Sequence, residues 1–111
     1  MLDPGDKVHV IERRVFEGDL RRHFAGEVVK SNDVAFVAMG YDFTFDADSD
    51  RYLRAPDRST RIVSMTDSRV LVRLLPKETS VDEIRYEYAD RVVVTDCKGF
   101  RLDITEFDPR R

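Results

Sequence analysis

Along this chain apolar and polar residues alternate at a period of two far more often than they recur at helical spacing, the signature of half-buried strands. Val8 and Val10 alternate with Lys7, His9 and Ile11 behind the turn signal Pro4-Gly5-Asp6. A second run sets Leu20, Phe24 and Val28 on one face and Arg21, His23 and Glu27 on the other. Gly26 falls on the inward face, where a missing side chain lets a strand or a bulky ring come close. Ser31-Asn32-Asp33 reads as a hairpin turn. The run that follows, 34–46, would bury Val34, Phe36 and Ala38 in its first half, but Tyr41, Phe43 and Phe45 are in the opposite phase. That switch predicts a bulge or sharp bend at Gly40.

The chain returns through Arg51-Tyr52-Leu53, passes Pro56-Asp57, and alternates again over Thr60 to Met65 and Val70 to Leu74 until Pro76 stops it. Ser80-Val81-Asp82-Glu83 fits a capping box and predicts one short helical turn. Ile84, Tyr86 and Tyr88 then alternate with Arg85 and Glu87. A last hairpin runs from Val92 to Thr95, through the turn Asp96-Cys97-Lys98-Gly99, into Phe100, Leu102 and Ile104. Seven or eight strands at turn spacings of about ten residues predict an all-β domain over 1–111, an antiparallel barrel or sandwich. Closure into a small barrel is favoured because it removes exposed edges. The expected core is Val8, Val10, Phe24, Val28, Phe36, Ile62, Val70, Val72, Leu74, Ile84, Val94, Leu102 and Ile104.

The segment from Val8 to Leu75, with its strand count and the F-x-G-x-V step at Phe24 to Val28, resembles the five-stranded SH3-like and Sm-like barrels. The whole chain resembles a group of small bacterial β-barrel proteins to which no activity is assigned. That likeness rests on Phe24-Ala25-Gly26-Glu27-Val28, Gly40-Tyr41, Ser59-Thr60-Arg61-Ile62, Leu75-Pro76, and Val94-Thr95-Asp96 with Ile104 and Phe107. It implies a fold and is silent on function. Cys97 stands where the glycine of a tighter Asp-Gly turn would be expected.

Composition narrows the classes. The 111 residues match one domain, and at this size roughly 65% of the unfolded surface can be buried without disulfides or a structural metal. Charged residues are 37% of the chain but nearly cancel, at a net −3, which argues against a surface built wholly to hold nucleic acid. Fifteen of the 19 basic residues are arginine, whose flat fork pairs with carboxylates or phosphates and stacks on rings. The plain reading is cross-strand pairing with the aspartates. One cysteine excludes an internal disulfide. Met-Leu-Asp-Pro-Gly has neither a basic region nor an apolar run, so no signal peptide is expected. No stretch approaches the ~20 apolar residues of a membrane span. A reducing cytoplasm, with no membrane partner, is the expected setting.

Three constellations bear on chemistry. Asp46, Asp48, Asp50 and Asp57 fall on the oxygen-ligand positions of a calcium loop, with Leu53 at its apolar position. Arg51 stands where that loop needs glycine, Asp57 is short for a bidentate glutamate, and Pro56 denies a second helix. An acidic hairpin tip is therefore the favoured reading. The second constellation is basic: Arg13, Arg14, Arg21 and Arg22 with His23, and Arg54, Arg58 and Arg61 within a stretch, 51–73, of six arginines against two aspartates. Side by side, these clusters would make a phosphate-binding face, with Tyr41, Phe43, Phe45 and Tyr52 available to stack unpaired bases. If those rings are core, the arginines pair instead with Asp42, Asp46, Asp48 and Asp50.

Catalysis has little to build on. Cys97 lacks a base at any telling spacing, the only histidines are His9 and His23, and no glycine-rich phosphate loop or G-x-S-x-G occurs. No catalytic residue and no cofactor is expected. The third constellation is the two-phase run 34–45, which turns apolar side chains outward on one half and suits a homo-oligomer or protein contact. The expected function is thus a non-enzymatic, self-associating binding or adaptor module. Single-stranded nucleic-acid binding through the arginine face is the alternative.

Overall fold

Val8, Val10, Phe24 and Phe36 are buried as their alternation requires, yet so are His9, Ile11, His23 and Ala25 in the opposite phase. Both faces of the first strands are covered. The computed structural model describes residues 2–13, 21–88 and 90–107, so the expectations for Arg14 and Leu20 fall outside the described residues. Two antiparallel sheets make up the fold. The first contains β1 (Lys7–Glu12), β2 (Arg22–Ser31), β3 (Ala35–Asp46), β4 (Arg51–Arg54), β5 (Ser59–Ser64) and β6 (Val70–Leu75). Its order is β4-β3-β2-β1-β6, and β5 takes the other half of β3's free edge. The second sheet, β7 (Arg85–Tyr88), β8 (Val92–Thr95) and β9 (Arg101–Asp103), has the order β7-β8-β9. Two three-residue 3-10 turns, Val81–Glu83 and Thr105–Phe107, are the only helical elements among the described residues. No helix there is long and apolar enough to cross a membrane.

The small all-β barrel or sandwich expected from the alternation is thus what forms. The first sheet curls around Val8, Val10, Phe24, Val28, Phe36, Ala38 and Val63. The second sheet lies against its convex side, where Ile11, Ala25, Phe43, Tyr52 and Leu75 meet Ile84, Val92, Val94, Phe100 and Ile104. Among the described residues β5 pairs only with β3 and β6 only with β1, so no ladder closes the curl.

Two cores explain the phase switch in β3. Phe36 and Ala38 enter the inner core, whereas Phe43 enters the outer one, with Tyr41 and Phe45 packed against it. Alternation runs unbroken through Gly40, which pairs directly with Gly26. The bulge lies instead on β2, between Val28 and Lys30. Gly40 is needed for close approach: a Cβ there would sit 1.9 Å from the Ala25 carbonyl oxygen and 2.5 Å from Gly26 Cα. At Gly26 a Cβ would sit 2.6 Å from the Phe24 ring, the close ring expected from the sequence.

Two expected core residues are outside: Ile62 is 79% exposed and Leu74 63%. Their neighbours Val63 and Leu75 are buried in their place. β5 and β6 are edge strands, so the choice of inward phase rests with the strand they pair with rather than with their own alternation. The 3-10 turn at Val81–Glu83 forms where the capping box stands, without a cap from the Ser80 side chain. The Ser80 amide donates instead to Asp96. In the β8–β9 turn Cys97 has φ +62°, the left-handed conformation that glycine adopts without strain.

Candidate functional site

The two histidines, placed on an outward face by simple alternation, are buried at 0% and 2% exposure. His9 and Ile11 share the outer face of β1, and Ile11 pairs with His23 across the ladder, so the imidazoles are diagonal neighbours. Their ring centroids are 5.3 Å apart. Tyr86 on β7 reaches down between them, its hydroxyl 2.9 Å from His9 Nε2 and 2.5 Å from His23 Nδ1. A phenol has one proton, so it donates to one imidazole and accepts from the other, and the two tautomers are coupled. Tyr52 on β4 stacks on His23 at 4.3 Å and on Tyr86 at 5.0 Å.

Burial, reinforced by the Arg73 cation paired across from His9, lowers the His9 pKa from 6.5 to about 4. Burial and then neighbouring His9 lower that of His23 to about 3. Burial, with Tyr52 and Tyr88 nearby, raises Tyr86 well above 10. The cluster is therefore neutral near pH 7. It works as a polar pin between the sheets.

Tyr52 is also the wall shared by two surface grooves. One, about 320 Å³, is lined by Ile11, Glu12, Arg13, Arg21, His23, Tyr52, Glu106 and Phe107. The other, about 410 Å³, lies between β4 and β7 and is lined by Phe43, Arg51, Tyr52, Arg54, Asp82, Glu83, Ile84, Arg85, Tyr86 and Tyr88. The Tyr88 hydroxyl accepts the Tyr52 amide at 2.7 Å and ties the two sheets at that end.

The arginines expected to form one face are divided. Arg13 and Arg21 share the first groove with Glu12 and Glu106. Arg22 is exposed and pairs across the ladder with Glu12. Arg61 bridges Glu12 and Asp42 at 3.0 Å each, as an internal pairing requires. Arg54 and Arg58 lie over the Tyr41 ring at 4.6 and 5.8 Å. They reach Asp82 rather than the acidic hairpin: Arg54 donates to its carbonyl oxygen at 2.7 Å, and Arg58 lies 3.7 Å from its carboxylate.

Asp46, Asp48 and Asp50 stand in or beside the β3–β4 turn, and Asp57 lies in the β4–β5 connection. Asp46 accepts the Ser49 amide and hydroxyl at 3.2 and 2.7 Å, an Asx-type turn. The Ser49 hydroxyl foremost holds the Asp46 carboxyl below its usual range. Among the described residues no three His, Cys, Asp or Glu side chains are gathered as a cation site requires. Cys97 is exposed. Sequence reasoning passed over the His9–Tyr86–His23 pin and the β4–β7 groove. The available signal was apolar character in both phases of β1, which marks a strand covered on both faces.

Comparison with family models, with curated proteins and with solved structures finds no match.

Proposed function

We propose that this protein is a non-enzymatic binding module that works as a homodimer joined across β5. The observation that carries this is Ile62, 79% exposed at the centre of an edge strand. Val37 pairs with Ile62 and Met39 with Thr60, so these side chains share the outward face of the β3–β5 ladder. Met39 is itself 43% exposed. Beside Ile62 lies an apolar depression of about 310 Å³, floored by Ala35, Phe36 and Val37. A knob next to a hole on one surface is self-complementary: a two-fold axis near β5 seats each Ile62 in the other copy's depression.

Exposed edges in soluble proteins are usually blunted by outward charges or proline. β5, Ser-Thr-Arg-Ile-Val-Ser, has one charge, and Arg61 spends it inward on Glu12 and Asp42. Among the described residues β5 pairs only with β3, which leaves its other backbone edge to add a strand. Light scattering on a sizing column tests the dimer. The proposal expects twice the 12.9 kDa chain mass, and Ile62→Lys should give the single-chain mass while keeping a cooperative melt. A wild-type mass of 12.9 kDa at micromolar protein, or a dimer that survives Ile62→Lys, defeats it.

A further inference from the structure

We infer that the groove lined by Arg13, Arg21 and His23 binds a phosphoryl group, held between the two guanidinium forks and the Nε2–H of the buried histidine. Ile11 pairs with His23 and Glu12 with Arg22, so the register carried one step further sets Arg13 opposite Arg21, on the outer face of Ile11 and His23. Like charges directly opposite one another destabilise a ladder. Both backbones are nevertheless tied in place: the Arg13 amide donates to the Arg69 carbonyl oxygen at 2.7 Å, and the Arg21 carbonyl oxygen accepts the Phe45 amide at 3.0 Å. Among the described residues neither guanidinium has a carboxylate within ion-pair reach. The two carboxylates of the groove are engaged elsewhere. Glu12 is in the opposite phase of β1, where Arg61 holds it at 3.0 Å, and Glu106 lies 4.0 Å from Arg73. Two arginines that face each other uncompensated call for an anion, and paired forks match the oxygens of a phosphoryl group.

The third donor is set by the pin. Tyr86 takes His23 Nδ1, which leaves Nε2, without a partner among the described residues, to the groove that His23 lines. Arg73, the cross-strand partner of His9, fixes which nitrogens carry protons. His9 Nδ1 and Arg73 Nε are both buried and unpaired. Beside a cation an imidazole turns a lone pair rather than an N–H, so His9 carries its proton on Nε2 and donates it to the Tyr86 oxygen. The Tyr86 hydroxyl then donates to His23 Nδ1, and His23 carries its own proton on Nε2. The groove therefore receives an N–H, which attracts an oxyanion, where a lone pair would repel one. Its volume, about 320 Å³, with Ile11 and Phe107 completing the wall, is in the range of small-ligand pockets.

The test is a titration of full-length protein, labelled at the imidazole nitrogens, with chloride, inorganic phosphate and phenyl phosphate. Before any addition His23 Nε2 should resonate as a protonated nitrogen, and inorganic phosphate or phenyl phosphate should shift it. Arg13→Gln with Arg21→Gln should weaken binding at least ten-fold without lowering the melting temperature, because it removes a repulsion. Arg51→Gln with Arg54→Gln, which removes the same charge elsewhere, should leave the affinity unchanged. Tighter binding of phenyl phosphate upholds the inference with a phosphate ester as the source; equal or weaker binding upholds it with the free ion. An unprotonated His23 Nε2, shifts reproduced by chloride at the same ionic strength, equal weakening by the control pair, or no shift with either phosphate overturns it.

Discussion

Acidification from about pH 7.5 to about pH 5 should cost the fold about 4 kcal/mol through two residues. His9 and His23 have folded-state pKa values lowered to about 4 and about 3, against 6.5 in the unfolded chain. Between pH 6.5 and the folded values the unfolded chain binds a proton on each histidine and the folded chain does not. Stability therefore rises with pH across that window, is flat above it, and is lost as pH falls. At about pH 5 each imidazole contributes about 2 kcal/mol to the loss, from ~1.5 pH units at 1.36 kcal/mol per unit. Ordinary carboxylates begin to protonate only near and below that pH, so the window isolates the histidines. Urea unfolding followed by tyrosine fluorescence, at one protein concentration because dimerisation also shifts apparent stability, measures the loss. An unchanged midpoint between the two pH values would refute the reasoning. So would an imidazole proton resonance of the folded protein that titrates near 6.5.

Three further substitutions probe the architecture. Tyr86→Phe removes the hydroxyl shared by His9 Nε2 and His23 Nδ1, leaves both buried nitrogens without it, and should cost about 2–4 kcal/mol in urea unfolding. A cost near zero would mean that the hydroxyl does not pin the sheets. Gly40→Ala drives a methyl into the Ala25 carbonyl and Gly26 Cα, backbone atoms that cannot step aside, and should leave no cooperative melt. A melting curve like the wild type would contradict the close crossing of β2 and β3. Asp96→Ala strips the acceptor from the amides of Ser80, Lys98 and Phe100 and should cost about 2–4 kcal/mol. Burial works against the Asp96 charge, yet these amides hold its pKa below the usual range, so Asp96→Asn should recover only part of the loss.

Local signals carried the strands far. Alternation located the elements, Pro76 marks the end of β6, and Asn32 closes the β2–β3 turn by accepting the Val34 and Ala35 amides at 2.9 Å. Alternation cannot say what covers a face, because it records only that two faces differ. His9 and His23 read as solvent-facing until a second sheet, contributed by residues 85–103, lies over them. Ile62 and Val63 are both β-branched and apolar, and only the pairing of β5 with β3 decides that Val63 turns inward. The arginines show the same limit: Arg61 found Asp42 as cross-strand pairing suggests, whereas Arg54 and Arg58 found Asp82, far along the chain.

Hydrogen exchange of the β5 amides tests the proposed dimer most directly. Exchange should slow at the Ser59–Ser64 edge as protein concentration rises from about 1 μM to about 500 μM, because a partner strand would cover those N–H groups. The amides of the other edge strand Val70–Leu75 should show no such dependence. Exchange at β5 that is the same at every concentration would contradict the account.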